Sequence, residues 1–542
     1  MTAFKTLVAT AIATVLAASP VLAQTADGIA ASRLSEDVRI LSQDSFGGRY
    51  PGTEGERLTL EYIQAQYEAM GLAPGGPDGQ WLQRVELPQF TPARPATASW
   101  SAGGERHELT VGRDIVLRAD SGDGLAAVTN APLVFAGYGI HAPERGWDDY
   151  GDLDVRGAVV VVVSGEPDGE LFNGEFPTVY SNGSYKNAEA FERGAVGVIT
   201  LVMVGPDHAG WQGLATRSGQ TNTTVDGLDP TEFNGMINIQ TATAWAEAAV
   251  MELPSLPQRM ESGDFRAFRM GDLTLSVDIA ETRDVLVTHN LLARIPGTER
   301  PDETIVYSAH WDHVGTRDTP DENGDTIYNG AWDNASGTAG VLEIARQFAA
   351  GPAPERSIVF AHMAAEEMGL LGAFYYAFNP VYPLETTVAD LNIDMLPLSA
   401  PTRDIPVFGF GQNTLEDDLQ ALADAEGRVV TDDGQPAQGF YYRSDHFPFA
   451  LMGVPALMPW HGIDWVEGGE AVGKAAWEAK FGADYHKPSD EWSADWDLRS
   501  AVENLTVFYR LGQDLANSRD WPQWKPTSEF GAIRARSDAA RQ

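Results

Sequence analysis

Five short segments carry the residues that could do chemistry. Ser308-Ala309-His310-Trp311-Asp312 offers a histidine and a carboxylate two positions apart, which places both on one face of an extended chain. A metal-bound histidine usually donates its other ring N–H to a carboxylate, and Asp312 is spaced to accept it. In Asn329-Gly330-Ala331-Trp332-Asp333-Asn334-Ala335-Ser336-Gly337, Asp333 stands where a loop enters a helix. Its two oxygens could bridge two cations, or cap the helix. Ala364 to Gly369 holds adjacent Glu366 and Glu367 just beyond an apolar run. Such a pair is costly when buried unless metal or a proton neutralises it. One glutamate can then bind metal while its neighbour takes the proton of an attacking water. Asn392-Ile393-Asp394-Met395 ends another apolar run in a carboxylate, and Asp484 to Asp490 puts His486 in a loop stiffened by Pro488, with Asp490 near enough to orient it.

Each segment alone also fits an ordinary strand end, N-cap or surface loop. Together they supply two histidines, three carboxylates, a free glutamate and an orienting aspartate. Two adjacent divalent ions need that set: one histidine and one terminal carboxylate each, and a carboxylate between them. The chain has no cysteine, which excludes thiolate sites, and Zn²⁺ suits mixed nitrogen and oxygen donors best. Two ions per chain are therefore expected. Other nucleophilic arrangements are missing. No G-x-S-x-G occurs, Ser444-Asp445-His446 are contiguous rather than on separate elements, and His107-Glu108 is followed by Leu-Thr-Val, not by a zinc helix. His313 and His446 lie inside or beside the active segments and are expected near the pocket, and His461 could line it. His107, His141, His208, His289 and His362 read as surface or packing residues.

The elements that must position these groups follow from periodicity. From about residue 285, strands at 290–295, 304–309, 357–362, 388–393 and 454–458 alternate with helices at 337–349 and from about 370, and a last helix covers about 499–516. Such alternation implies a mostly parallel sheet with helices on both faces, whose ligands bind at the carboxyl ends of its strands. Leu60, Ile63, Tyr67 and Met70 have helical spacing, with Gly71 as C-cap. Between about 111 and 283 the texture changes to short strand-like runs, including five consecutive valines at 159–163, and to Gly-, Asn- and Thr-rich loops. A separate β-rich unit is expected there, with one helix from Tyr185 to Arg193 and no catalytic cluster.

The 542 residues favour two domains, and 43% hydrophobic with 21% charged residues describes a globular chain. Residues 1–23 read as an export signal: a basic start with Lys5, an apolar run from Leu7 to Ala18, and a small-residue cleavage site at Val21-Leu22-Ala23. That run is too short to span a bilayer. The formal charge of −40 repels nucleic acid and anionic membrane. A soluble exported protein, periplasmic or extracellular, is expected, with neither nucleic acid nor membrane as partner.

The order and wording of these segments resemble peptidase family M28, zinc peptidases that include bacterial leucyl-type aminopeptidases. The likeness rests on His310-x-Asp312, Gly330-Ala331-x-Asp333-Asn334-x-Ser336-Gly337, Glu366-Glu367-x-Gly369, Asn392-x-Asp394, Tyr485-His486-x-Pro488-x-Asp490 and Tyr442-Arg443-Ser444-Asp445-His446-x-Pro448-Phe449. It implies an α/β fold of the zinc-exopeptidase type formed by residues 24–110 and 284–542, a peptide substrate, and specific roles. His310 and Asp394 would hold one zinc, Glu367 and His486 the other, and Asp333 would bridge them. Glu366 would be the general base and Asp312 would support His310. Tyr485, His446 and Trp332 would meet substrate, the indole narrowing the pocket. Residues 111–283 resemble, more loosely, a protease-associated (PA) insert, on Phe135 to Ile140, Asp154 to Gly157 and Lys186-Asn187-Ala188. Release of N-terminal amino acids is the expected reaction. A carboxypeptidase, a glutaminyl cyclase and a non-catalytic receptor-like relative are the alternatives. A cyclase would typically use one zinc and a receptor would be expected to lose ligands, whereas all five ligand positions are filled here.

Overall fold

The computed structural model describes residues 28–541, apart from 120, 173, 175, 176, 252–255 and 436–437. The expected export signal at 1–23 lies outside the described residues. Among those described, no helix is long and apolar enough to cross a membrane.

One sheet is built from β1 (Leu82–Pro92), β2 (Phe268–Ile295), β3 (Arg300–His310), β4 (Arg356–Met363), β5 (Thr387–Asn392) and β6 (Ala456–Leu457). Its order is β6-β5-β3-β4-β2, with β1 also on β2. Strands β6, β5, β3 and β4 are parallel, and β2 runs antiparallel to both β4 and β1. All eight residues of β4 and all six of β5 are buried, as required of strands covered on both faces. The covering helices are α1 (Ala31–Leu41), α2 (Glu54–Met70), α3 (Ser336–Ala350), α4 (Leu371–Phe378) and, after the mostly unburied α5 (Glu470–Asp484), α6 (Arg499–Asn517). Helix α2 buries Leu60, Ile63 and Tyr67 and ends at Gly71 with φ 76°, a left-handed cap open to glycine. Helix α6 lies so close to β3 that a Cβ on Gly512 would collide with the Tyr307 hydroxyl, which donates to the Phe508 carbonyl at 2.8 Å. A further helix, Gly531–Arg541, follows α6 and was not anticipated. It has only a weak apolar face to announce it.

The 28-residue β2 joins this sheet to a second one. Its earlier half pairs with Leu125–Phe135 and with the hairpin Thr97–Ala102/Glu105–Leu109. Leu125–Phe135, Val159–Val163, Gly197–Val202 and Phe233–Asn238 continue it in parallel, and Ile115–Arg118 closes the edge antiparallel. Two corrections to the sequence expectation follow. Helices Gly183–Glu192, Ala209–Ser218 and Ile239–Ala248 alternate with these strands, so the unit is α/β rather than β-rich. Gly183–Glu192 answers the helix expected at 185–193, whereas Ala209–Ser218 and Ile239–Ala248 were not anticipated. The hairpin at 97–109 also sits on this second sheet, so the unit begins before residue 111.

Candidate metal centre

The five chemistry-bearing segments converge at the carboxyl ends of the parallel strands, where an open α/β sheet leaves a crevice. His310 is the last residue of β3, Glu366 and Glu367 form the turn after β4, and Asp394 follows β5. Asp333 lies in the turn that enters α3, and His486 follows α5. His310 Nε2 is 3.3 Å from Asp394 Oδ1 and 3.4 Å from Asp333 Oδ1. On the other side, His486 Nε2 is 3.2 Å from Asp333 Oδ2 and 3.0 Å from Glu367 Oε2. Asp333 therefore faces both groups, one oxygen to each. Glu366 Oε2 is 3.8 Å from His310 Nε2, its one ion partner among the described residues.

The Asp333 turn is riveted from several directions. Asn334 donates to the Ile393 carbonyl and accepts from the N–H groups of Gly337 and Met395 at 2.8 and 3.0 Å. Ser336 Oγ donates to the Trp332 carbonyl and accepts from the Leu396 N–H. These bonds fix Asp333 relative to Asp394, because both partners belong to the same two loops. The Asp333–Asn334 peptide is cis. Arg49, which the sequence reading missed, is buried beneath the turn and donates to the carbonyls of Trp311, Leu41, Asn329 and Gly330. No spacing signal could have found it, since its partners are backbone oxygens distant in sequence.

Two supporting aspartates act differently from expectation. The Asp312 carboxylate is 3.7 Å from His310 Nδ1, and that nitrogen instead meets the Asp312 backbone carbonyl at 3.2 Å. The carboxylate accepts the backbone N–H groups of Glu366 and Glu367, at 3.1 and 3.4 Å. Asp490 does not orient His486. It accepts the N–H groups of Trp332 and Asp333 at 2.9 and 3.0 Å, because a turn that buries its amides must find acceptors for them. His313 enters the cluster more deeply than its place beside the first segment suggested. Its Nδ1 is 2.6 Å from Glu367 Oε1.

Burial works against every charge here. It raises Glu366 well above the ordinary carboxylate range, reinforced by the Glu367, Asp394 and Asp445 charges. Burial would lower His310, but Glu366 and Asp394 hold it well above its usual value. His486 is likewise depressed by burial but pushed up to about 10 by its bonds to Asp333 and Glu367. Burial would raise Asp333, yet the two histidines hold it well below its usual value. So many carboxylates in a buried space need compensating positive charge. The ligand atoms of His310, Asp333 and Asp394 lie within 4.8 Å of one another, as do those of His313, Asp333 and Glu367. This mixed donor set, with the buried Glu367 Oε1 facing His313 Nδ1 at 2.6 Å, fits divalent metal of the zinc type.

A small cavity of about 30 Å³ opens beside the cluster, lined by Asp333, Glu366, Asp394, Phe440, Arg443 and Tyr485 among others. Tyr485 stacks on His486 at 3.9 Å between ring centroids. Burial, with Asp333 and Glu367 nearby, pushes its phenol far up, so the O–H stays a donor. The other two expected substrate contacts do not line this cavity. Trp332 is 1% exposed, its indole N–H donates to the Leu396 carbonyl at 3.0 Å, and its ring packs on His461. A buried indole needs such an acceptor, which turns it away from the opening. His446 packs edge-on against Tyr441 at 4.7 Å, buried, with its pKa lowered by burial to about 3.

Residues 290–509 match the family model described as Peptidase family M28. The chain is 31% identical over 181 residues to leupeptin-inactivating enzyme 1 of Streptomyces exfoliatus, covering 33% of this chain and 37% of that protein. It is 25% identical over 505 residues to the probable lipoprotein aminopeptidase LpqL of Mycobacterium tuberculosis, covering 88% and 83%. The chain thus spans less than half the length of the first of these relatives. A solved aminopeptidase from Aneurinibacillus sp. strain AM-1 superposes with a TM-score of 0.44 at 19% identity, covering 91% of this chain and 95% of that one.

Proposed function

We propose, from the match of residues 290–509 to peptidase family M28, that the chain is a two-zinc exopeptidase of that family that releases N-terminal amino acids. The observation that carries this reading is Asp333, which presents one oxygen to His310 and the other to His486, beside a glutamate left free of that pairing. His310 and Asp394 would hold one ion and Glu367 and His486 the other, with Asp333 between them. Bound zinc supplies Lewis acidity that polarises a scissile carbonyl and makes water a usable nucleophile near neutral pH.

The remaining work falls to the chain. Glu366 takes a proton at its carboxylate and returns it to the leaving amine. Asp312 fixes the turn on which Glu366 hangs, through the Glu366 N–H. Tyr485 lines the same cavity, and its O–H would donate to the oxyanion that develops on the substrate. The second sheet, from about residue 97 to 280, is proposed as a PA-like insert, and the protein as exported after removal of residues 1–23. The aminopeptidase names among its relatives support the amino-terminal direction.

The test joins metal analysis to a panel of amino-acid anilides and N-blocked peptides. Two zinc equivalents and release from free but not blocked termini are expected. Hydrolysis of blocked peptides would replace aminopeptidase with carboxypeptidase. E366A should retain zinc while losing roughly 10²- to 10⁴-fold in turnover; near-normal turnover would remove Glu366 from its role.

A further inference from the structure

The cavity wall beside the acidic cluster carries a guanidinium without an acidic partner. Arg443 lines the cavity together with Asp333, Glu366 and Asp394, and among the described residues no carboxylate comes within salt-bridge distance of it. The side chain is exposed and rests on the Phe440 ring, 5.0 Å from the centroid.

Its backbone is held firmly. The Arg443 N–H donates to the Phe440 carbonyl at 3.0 Å. The next residue, Ser444, donates from Oγ to Asp394 Oδ2 at 2.7 Å and accepts from Asn392 at 2.8 Å. The guanidinium is thus mounted one residue from a carboxylate of the metal cluster.

The acid bound to the neighbouring Tyr442 is engaged by other groups. Glu529 accepts from the Tyr442 hydroxyl at 2.9 Å, from Arg145 at 3.2 Å and from the Val179 N–H at 3.2 Å. In a chain of formal charge −40, an arginine left unpaired at an acidic cavity is a local reversal of sign. Its planar fork matches a carboxylate through two parallel N–H···O bonds, and stacking on an aromatic face keeps it extended and weakly hydrated. Without such a cation, the surrounding acids and the whole-protein field would repel any anionic substrate.

We infer that Arg443 recognises a carboxylate on the substrate, so that the enzyme selects anionic short peptides. The inference rests on the peptidase reading above. Two sources share this chemistry: the free α-carboxylate of a dipeptide and an acidic side chain. Neither the Glu366 proton step nor the metal ligands are altered by it. Arg443 is a specificity-determining residue.

The experiment uses the full-length, zinc-loaded protein and its R443M and R443K variants. Leu-Gly is compared with Leu-Gly-amide for the α-carboxylate, and glutamyl anilide with glutaminyl anilide for the side chain. Wild type is expected to favour the anionic member of one pair by roughly 10- to 100-fold in kcat/KM, the worth of a hydrogen-bonded charge. R443M should bring that ratio close to one, chiefly through KM, and R443K should restore part of it. The pair that responds identifies the source of the carboxylate. Equal rates within both pairs in wild type, or a ratio that R443M leaves intact, would overturn the assignment while leaving the peptidase reading standing. Failure of wild type to cleave any of the four would overturn both.

Discussion

The Asp312 carboxylate accepts the backbone N–H of Glu366 at 3.1 Å, so a residue just beyond β3 sets the height of the turn that follows β4. It also accepts from Glu367 at 3.4 Å, and burial raises its own pKa to about 6. One side chain thus fixes both the proposed base and a proposed ligand.

Replacing Asp312 with Ala should therefore lower both kcat and metal affinity, each by roughly 10- to 100-fold, the usual cost of losing a group that orients ligands. Steady-state kinetics alongside zinc titration check this. A variant with full turnover at wild-type affinity would show that the turn holds without it.

Asp333 faces both histidines, so D333A should abolish stoichiometric binding at both positions rather than one. Elemental analysis after desalting reads the result: two equivalents in wild type, fewer than one in the variant. In the unmutated protein, chelation should lower stability by about 4 kcal/mol if free zinc had stood 1,000-fold above its Kd. Denaturant melts with and without chelator measure it, and re-addition of zinc should restore the loss.

Gly337 is fixed by space. A Cβ there would collide with Asn334 Oδ1 and stand 2.5 Å from the Ile393 carbonyl. G337A should destabilise the fold by roughly 1–3 kcal/mol through overpacking and should weaken zinc binding as well, because the displaced Asn334 holds the Asp333 turn. Unaltered melts and unaltered zinc content would contradict this account.

His362 is buried against Tyr67, whose hydroxyl lies 2.7 Å from Nε2, and burial lowers its pKa to about 3. The unfolded imidazole titrates near 6.5. Between those values the unfolded chain binds a proton that the folded chain refuses. The stabilisation is complete above about pH 6.5 and is lost as pH falls towards 3, by up to about 1.4 kcal/mol per unit. H362Q should remove that slope, as read by urea denaturation across this window. A slope equal to wild type would mean that other groups carry the acid sensitivity.

Much of this molecule was legible in the chain itself. The apolar runs that became β3, β4 and β5 are buried on both faces, so their hydrophobicity is continuous. The residues that end them, His310, Glu366 with Glu367, and Asp394, stand out against that background. Helix α2 and its glycine cap were readable for the same local reason. The second sheet was only partly readable. Its helices bury a narrow stripe, and its register depends on β2, one strand shared with the first sheet.

What tertiary structure alone decided is who serves whom. Sequence spacing paired Asp312 with His310 and Asp490 with His486, because neighbours in the chain are the partners that spacing can suggest. The fold instead gives both carboxylates to backbone amides of other loops, whose N–H groups need acceptors once the turns pack. Arg49, His313 and Arg443 follow the same logic. Their roles come from elements that meet only when the sheet assembles, and no periodicity in a single strand or helix records such a meeting.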